Sequence, residues 1–334
     1  MKIGIFYNTI DQPWGGINTF FRNFVRAARK SKKVELVEDF SDADIILTAG
    51  HYRGPGQTIK PMQLVNISNS KKLYNPLGLF SKKGDKKIVF RVDGLRSHYT
   101  GGISTTDKLL IDNLEYADGI VFQSKFSMDC FKPHLNISTD NTGIILNGAD
   151  QNIFFPEEIS MNCKDTVKIV SSSWSVNSNK GFDIISAVSQ IDKVSVCHIG
   201  KWPKETAIEN VKLLGVMTEQ QLAAELRKHH FLLFPSKNEA CSNTVTEALC
   251  SGLPVLYHHS GGTTEQCGIN KYGLPIPDSP SGIDMTVLTT FIDQAVENYT
   301  CLRKNILDES HSFHFSYCFE SYIAYFSRLL DKPL

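Results

Sequence analysis

The sequence predicts an α/β protein made of two doubly wound, mostly parallel sheets. In residues 1–150, β-rich apolar runs alternate with amphipathic helical patterns, and the same alternation begins again near Val167. A polar, turn-rich stretch from Asn147 to Asp165 separates the two series. A length of 334 residues, with 41% apolar and 21% charged side chains, is sufficient for two hydrophobic cores. We therefore expect two Rossmann-like domains that face one another across a cleft.

The first series predicts strands and helices that alternate along residues 1–150. The strands are expected at Lys2–Tyr7, Val34–Phe40, Asp44–Ala49, Gln63–Ile67, Ile88–Val92, Gly119–Gln123 and Gly143–Leu146. The helices are expected at Ile17–Lys30, Thr106–Ala117 and Lys125–Phe131.

The second series predicts another sheet and a C-terminal helix. Its strands are expected from Val167 and at Val194–Ile199, Val211–Leu214, Phe231–Phe234 and Val255–Tyr257, with helices at Glu219–Lys228 and Asn243–Cys250. Aromatic residues at helical spacing in Ser312–Leu330 predict a helix that packs back towards the first domain. The predicted domains are residues 1–156 and 157–311, and residues 312–334 form the crossing helix.

The cysteine pattern, together with the expected lack of a signal peptide, indicates a cytoplasmic protein. Lys and Arg together number 35, as do Asp and Glu, with five excess positive charges in residues 1–150 and five excess negative charges in the remainder. The eight cysteines show no CxxC pair, so reduced thiols are the simplest interpretation. No apolar run has the length of a signal peptide or a membrane span. We expect no nucleic-acid partner.

Residues 70–87 interrupt the regular pattern with apolar residues, turn formers and six lysines. A solvated surface loop is the favoured interpretation. The alternative is peripheral contact with the inner face of a membrane, in which Leu77, Leu79 and Phe80 enter the interface and the lysines meet anionic headgroups.

Two glutamates, Glu239 and Glu247, flank seven residues where the strand Phe231–Phe234 gives way to the helix Asn243–Cys250. Ligands of open parallel sheets bind at the carboxyl ends of the strands. Ionised carboxylates accept several hydrogen bonds, and sugars are rich in donors, so this pair predicts a sugar-nucleotide site. For Glu247 there is a structural alternative, because Thr244 to Glu247 fits the capping-box pattern.

Three further features lie near predicted strand ends. Gly15 and Gly16 precede a helical pattern and can bring backbone amides to an anion, or can merely form a tight turn. Lys180 stands just before a predicted helix, where the helix dipole disfavours a cation, and it can neutralise a diphosphate. Asp93 follows a strand with Arg91 and Arg96 nearby, although Asp-Gly is most often a simple turn.

Taken together, these residues resemble the retaining glycosyltransferases of family four, which have the GT-B fold. The resemblance extends over most of the chain. It is carried by the Gly15-Gly16 turn, residues 117–127, Asn147-Gly-Ala-Asp150, Asn179-Lys-Gly-Phe-Asp183, Phe234-Pro-Ser236 leading to Glu239 and Glu247, Gly252-Leu-Pro-Val255, and Ser260-Gly-Gly-Thr-Thr-Glu265.

The resemblance implies an acceptor-binding first domain and a second domain that binds a nucleotide sugar, without metal or cofactor. Glu239 would contact the donor sugar, Glu247 the ribose, and Lys180 the diphosphate. The resemblance also implies that the diphosphate is bound by the backbone amides of Gly16 and of the turn formed by Ser242, Asn243 and Thr244. Val216 and Met217 would contact the nucleotide base. A UDP-sugar donor and a polysaccharide or lipid-linked acceptor are the expected substrates.

Two positions depart from the family pattern. The family usually has an arginine six residues before its lysine, and Trp174 occupies that position here. Arg91 and Arg96 are the candidates to supply the missing charge. Asp93 stands approximately where many members have a catalytic-site histidine, and it would either hold a hydroxyl of the donor sugar or orient the acceptor. A sugar-nucleotide epimerase, a phosphorylase or a noncatalytic partner subunit on the same scaffold are the alternative functions, and Trp174 favours the last of these.

Overall fold

The computed structural model describes residues 1–12, 15–50, 52–68, 86–100, 102–135, 140–158, 166–278 and 282–331. The predicted surface loop at residues 70–87 lies outside these ranges, apart from its last two lysines. The chain divides into two compact units: Met1–Leu146 with Cys318–Leu334, and Asn147–Tyr317. The first limit lies ten residues before the predicted domain limit at 156, and the second lies six residues after the one at 311.

The first unit is built on a sheet whose main strands are parallel. The strands are β1 (Lys2–Phe6), β2 (Glu35–Val37), β3 (Ile45–Ala49), β4 (Tyr52–Gly54), β5 (Gln57–Thr58), β6 (Lys87–Val92), β7 (Gly119–Phe122) and β8 (Thr142–Ile144). Their order is β2-β1-β3-β6-β7-β8, and β4 and β5 add an antiparallel ribbon to β3. The helices are α1 (Gly15–Lys30), α2 (Pro61–Ser68), α3 (Ser97–Thr100), α4 (Thr105–Leu114) and α5 (Lys125–Phe131).

Two predicted strands of this unit are corrected. Gln63–Ile67 lies inside helix α2, because Pro61 occupies the first helical position and the Gln63 side chain accepts a hydrogen bond from the Lys60 amide at 2.9 Å. A short apolar run does not distinguish a strand from a buried helix. The strand predicted at Val34–Phe40 ends at Val37, and a 3₁₀ turn at Phe40–Asp42 follows it.

The second unit contains a fully parallel six-stranded sheet. Its strands are β9 (Val167–Ser173), β10 (Val194–Gly200), β11 (Lys212–Gly215), β12 (Phe231–Phe234), β13 (Val255–His258) and β14 (Gly273–Ile276), in the order β11-β10-β9-β12-β13-β14. The helices are α6 (Phe182–Val188), α7 (Glu219–Leu226), α8 (Asn243–Cys250), α9 (Thr263–Cys267) and α10 (Met285–Asp308). Phe231–Phe234 and Asn243–Cys250 have the predicted limits.

Strand β12 shows why its apolar run has no polar alternation. Leu232 and Phe234 enter the core cluster on one side of the sheet, and Phe231 and Leu233 enter the other. A parallel strand covered on both faces is apolar throughout. The 24-residue helix α10, which was not predicted, closes the second of these cores with Phe291, among other residues.

The C-terminal helix α11 (Phe315–Leu329) packs on the first unit, as predicted for the aromatic tail. The Tyr322 ring lies 5.2 Å from that of Phe20, and the Phe319 ring lies 5.1 Å from that of Phe24. The Tyr325 hydroxyl donates a hydrogen bond to the Asn141 carbonyl at 2.6 Å. Among the helices within the described ranges, none has both the length and the apolar character required to cross a bilayer.

Candidate functional site

The strand order of the second sheet reverses at its centre. From β9 the chain continues to β10 and β11 on one side, and β12 then pairs with the opposite edge of β9. The loops that leave β9 and β12 therefore start on either side of this reversal, at the carboxyl ends of the two strands. A topological switch point of this kind is where doubly wound sheets bind ligands. Lys180 follows β9, and Glu239 follows β12.

Lys180 and Glu239 meet at this switch point. The Lys180 ammonium forms an ion pair with Oε1 of Glu239, and the Ser236 hydroxyl donates to the same oxygen at 2.8 Å. The two charged side chains are 23% and 19% exposed. Within the part of the chain that the structure describes, Oε2 of Glu239 has no hydrogen-bond partner, so it is free to accept one from a ligand. Ser236 was not among the predicted site residues.

Backbone contacts lock the two loops together. The Lys237 amide donates to the Asn179 carbonyl at 2.8 Å. Gly181 has a left-handed φ of 68°, and a Cβ at this position would lie 2.8 Å from Cβ of Pro235. A larger residue would therefore be strained and would push the loops apart. This contact fixes the position of Lys180 relative to the loop of Glu239.

The loop after β13 packs against the backbone of Glu239. The Gly262 amide donates to the Glu239 carbonyl at 2.7 Å. Gly261 has a φ of 67°, and a Cβ there would approach the Glu239 carbonyl oxygen to 2.5 Å. Asn238 is itself left-handed, and its amide donates to the Ser260 hydroxyl at 2.9 Å. The Ser260-Gly-Gly segment thus shapes the loop that presents the Glu239 carboxylate.

Helix α8 begins beside this loop and is held by a buried glutamine. Oε1 of Gln266 accepts from the Ser242 amide at 2.8 Å, and Nε2 donates to the Ser242 carbonyl and the Thr246 hydroxyl, both at 2.8 Å. The first turn of α8 has no acidic residue, and the Ser242 side chain makes no capping hydrogen bond. The amides of Asn243 and Thr244 are among the donors that a helix start leaves unpaired within the helix.

The capping-box alternative for Glu247 is wrong. Helix α8 begins at Asn243 after the N-cap residue Ser242, so Thr244 lies inside the helix and cannot cap it. Glu247 lies further along α8 and is 9% exposed. Burial raises the pKa of Glu247 from 4.5 to about 8, and the negative charge of Glu219 adds to this increase. Near neutral pH the carboxyl group is therefore mostly protonated, and it can donate as well as accept a hydrogen bond.

The remaining predicted donor residues lie at the carboxyl ends of β9 and β11. Trp174 directly follows β9 and is 44% exposed. Val216 follows β11 and is also exposed, whereas Met217 packs against the core. Because all strands of this sheet are parallel, these residues share one edge of the sheet with Lys180 and Glu239.

In the first unit, Gly15 and Gly16 open helix α1 after the loop that leaves β1. Gly15 has a φ of 72°, which confirms that this turn requires positive φ. Buried Asn18 fastens the loop, since its Oδ1 accepts from the Ile10 amide and its Nδ2 donates to the Ile10 carbonyl, both at 3.0 Å. Asn18 could have been noticed from sequence only as a polar residue on an apolar helix face.

Arg91 does not have the exposed position that an acceptor contact requires. Its side chain is 1% exposed, its guanidinium pairs with Asp93 at 2.8 Å, and it lies 4.2 Å from the centre of the Phe20 ring. The prediction that Arg91 contacts an acceptor or replaces the missing arginine is therefore corrected, because the core encloses its charge. Asp93, whose side chain is 40% exposed, is the accessible member of this pair.

Arg96 is exposed, in contrast to Arg91. Its guanidinium donates to the Tyr52 hydroxyl at 3.2 Å, and its backbone amide donates to the Asp107 carboxylate at 2.7 Å.

Tyr7 is a buried neighbour of the Arg91–Asp93 pair. Burial raises the pKa of Tyr7 to about 12, with a further increase from Asp93 and an opposing effect of Arg91.

Comparisons with known proteins agree with this architecture. Structures with similar folds include sucrose-phosphate synthase from Thermosynechococcus elongatus, with a TM-score of 0.66, 15% identity and coverage of 97% of both chains. HepE from Anabaena in complex with UDP and glucose has a TM-score of 0.67 and 15% identity, with coverage of 97% of this chain and 98% of HepE. The chain therefore has the GT-B fold.

Two sequence comparisons find similar proteins, and the family-model match lies within the second unit. Residues 168–289, which include Lys180, Glu239 and Glu247, match the family model described as Glycosyl transferases group 1. The gpi3 subunit of phosphatidylinositol N-acetylglucosaminyltransferase from Schizosaccharomyces pombe is 24% identical over 231 residues. That match covers 64% of this chain and 50% of the subunit, so the chain spans about half the length of this relative.

Proposed function

We propose that this protein is a retaining glycosyltransferase that moves a hexose-type sugar from a UDP-sugar to a hydroxyl acceptor, without a metal ion or cofactor. The observation that carries the proposal is the Lys180–Glu239 ion pair at the switch point of the second sheet. The match of residues 168–289 to Glycosyl transferases group 1 supports it.

In this proposal Glu239 binds the sugar of the donor, and Lys180 binds its diphosphate. Lys180 and Ser236 hold Oε1 of Glu239, which leaves Oε2 to accept a hydrogen bond from a hydroxyl of the donor sugar. When the sugar departs, negative charge grows on the diphosphate, and Lys180 stabilises it together with the amides at the start of α8. Loss of one preorganised donor of this kind commonly costs about 10²–10³ in rate.

Glu247 binds the nucleotide ribose in this proposal. A mostly protonated carboxyl group has one donor and an acceptor oxygen, which matches a ribose hydroxyl that both donates and accepts. The amides near Val216 and Met217 bind the base. HepE, which has the same fold, forms complexes with UDP and with UDP-glucose, and this favours uracil as the base.

The acceptor is a growing glycan, a surface polysaccharide or a lipid-linked sugar, bound mainly by the first unit through Asp93 and Arg96. The gpi3 relative, a subunit of a phosphatidylinositol N-acetylglucosaminyltransferase, favours a lipid-linked acceptor. A cytoplasmic protein that touches the inner membrane face through residues 70–87 fits that substrate.

Retention and metal independence rest on the family resemblance. In the front-face mechanism, a phosphate oxygen of the donor takes the proton of the acceptor hydroxyl while the bond from the sugar to the diphosphate breaks. No separate catalytic base is required, and the positive charge comes from protein groups such as Lys180.

A noncatalytic partner subunit is the second candidate, because the gpi3 relative is itself named as a subunit and Trp174 replaces an arginine. An epimerase or phosphorylase on the same scaffold is distinguished from both by its products. A noncatalytic subunit leaves every donor unchanged, and an epimerase converts the donor without an acceptor.

The test is a panel of UDP-, GDP- and ADP-sugars with glycan and lipid-linked acceptors, with and without EDTA. Donor binding is measured first by thermal shift, since a ligand at one hundred times its Kd stabilises the folded state by about 2.7 kcal/mol. We expect binding of a UDP-sugar and transfer with retained anomeric configuration that EDTA does not abolish. Donor binding without transfer to any acceptor would favour the noncatalytic subunit, and absence of nucleotide binding would overturn both.

A further inference from the structure

We propose that Lys201 is a second diphosphate-binding cation of the donor site, held in place by the indole of Trp174. This inference rests on the proposed function and adds to it a residue that replaces the missing arginine. Lys201 was not among the predicted site residues.

The backbone brings Trp174 and Lys201 to the same edge of the sheet. Strands β9 and β10 remain in register up to the pair Ser173 and Gly200, and the Lys201 amide then donates to the Ser173 carbonyl at 2.9 Å. Gly200 has a φ of 108°, and a Cβ at this position would clash with the Ser173 carbonyl. Trp174 and Lys201 thus leave adjacent strands side by side, next to the loop that carries Lys180.

A buried histidine fixes the backbone of Lys201. Nε2 of His198 donates to the Lys201 carbonyl at 3.0 Å, so Nδ1 accepts from the Ser171 hydroxyl at 2.8 Å. Burial lowers the pKa of His198 to about 4, and the ring is therefore neutral. The rings of Phe182 and Trp202 pack against it at 5.5 and 5.1 Å. This cluster positions Lys201 without adding a charge of its own.

The Lys201 ammonium lies 4.5 Å from the centre of the Trp174 ring. A ring face attracts a cation and orients it, but it does not neutralise its charge as a carboxylate would. In the ranges that the structure describes, Lys201 has no acidic partner. Together the two side chains provide what the missing arginine would provide: the indole supplies a flat surface, and the lysine supplies a positive charge.

The charge balance at this edge favours a phosphate ligand. Among Lys180, Glu239, Trp174 and Lys201, the Lys180 and Glu239 charges are paired, whereas Lys201 rests on an uncharged ring, and the exposed Lys237 of the Glu239 loop adds a further positive charge to this edge. A nucleoside diphosphate sugar carries two negative charges on its diphosphate. One lysine that is already paired cannot balance both, and Lys201 supplies the second cation from the neighbouring strand.

The test compares UDP with UMP in calorimetric titrations of Lys201→Met. This variant keeps a long apolar side chain on Trp174 and removes only the charge. We expect its affinity for UDP to fall about tenfold or more, which corresponds to about 1.4 kcal/mol, whereas its affinity for UMP falls much less. Lys204→Met is the matched control, because Lys204 is an exposed lysine of the same loop, and it should bind both nucleotides as the wild type does.

Rescue by a second substitution separates a charge effect from a packing effect. Trp174→Arg in the Lys201→Met background should recover most of the lost affinity for UDP, since it returns a cation to this edge. If Lys201→Met binds UDP normally, or if it loses UDP and UMP equally, the assignment of Lys201 is overturned while the proposed function stands. If the wild type binds no nucleotide, the proposed function fails and the assignment of Lys201 fails with it.

Discussion

Lys180 and Glu239 join the loop after β9 to the loop after β12 through an ion pair, and Ser236 donates to the same carboxylate oxygen. A partly exposed ion pair contributes only about 0–1 kcal/mol to stability. The two loops are already linked by the backbone hydrogen bond from Lys237 to Asn179. Binding of a ligand therefore explains the position of this pair better than stability does.

Lys180→Met should nearly abolish sugar transfer and leave the fold intact. We expect a rate loss of about 10²–10³, because the variant lacks a cation at the leaving diphosphate. The melting temperature should change by only a few degrees, since about 1 kcal/mol shifts it by roughly 2–4 °C in a domain of this size. Release of UDP and differential scanning calorimetry measure the two effects.

Lys168→Met is the control for Lys180→Met. Lys168 is exposed on strand β9, near the amino end that lies opposite the site edge. It should retain wild-type transfer. An equal loss of transfer in both variants would indicate that general charge, and not the switch point, determines the rate.

Glu247→Gln should change how stability depends on pH. The pKa of Glu247 is raised from 4.5 to about 8 on folding, so its favourable contribution is complete below 4.5 and is lost as the pH rises towards 8. Within this window the wild type should lose up to about 1.4 kcal/mol per pH unit relative to the variant. Urea unfolding of both proteins at about pH 5 and about pH 8 measures this difference.

Glu297→Gln, at an exposed position on α10, is the control and should follow the wild-type curve. Parallel curves for the wild type and Glu247→Gln would show that the carboxyl group ionises as it does in the unfolded chain. If Glu247 binds ribose, Glu247→Gln should also weaken UDP binding. Normal UDP binding would limit Glu247 to a structural role.

Gly261→Ala should cost both stability and activity. The new Cβ would approach the Glu239 carbonyl oxygen to 2.5 Å and displace the loop that presents the carboxylate. Gly56→Ala is a matched control, because Gly56 has a similar φ of 70° but no atom within 4 Å of the new Cβ. The left-handed backbone costs about 1–2 kcal/mol at both positions. Only Gly261→Ala should also lose transfer, and equal activity in the two variants would contradict the role of this loop.

Gln266→Met should loosen the start of helix α8. The substitution preserves volume but removes three hydrogen bonds, two of which join Gln266 to the backbone of Ser242. Buried polar groups left without a partner cost about 1–3 kcal/mol each. We expect a lower melting temperature and weaker UDP binding. Unchanged UDP binding in a destabilised variant would show that the start of α8 does not contact the nucleotide.

The alternation of strand and helix was readable from sequence because the core of each sheet requires it. Phe231–Phe234 is apolar throughout since both of its faces are covered, and its limits were predicted correctly. The prediction for Gln63–Ile67 was wrong, because a five-residue segment with three apolar residues fits either period, and Pro61 favours the start of a helix.

Part of the candidate site could not be predicted from short segments of the sequence. Lys201 and Trp174 become neighbours only through the register of β9 with β10, and Gln266 reaches Ser242 from another helix. Arg91 looked accessible because it lies two residues before Asp93, yet both faces of β6 are buried and the Phe20 ring of helix α1 covers its guanidinium. Such positions depend on contacts between distant segments, which the pattern of one segment does not contain.

Glu239→Gln tests the central claim most directly when UDP affinity and sugar transfer are measured on the same protein. The substitution removes the carboxylate charge and frees Lys180 from its ion pair, and with the amide oxygen towards Lys180 and Ser236, an NH2 donor replaces the acceptor Oε2. We predict that transfer falls by about 10²–10³ while UDP binds at least as tightly as it does to the wild type. Wild-type transfer by folded Glu239→Gln would contradict the account.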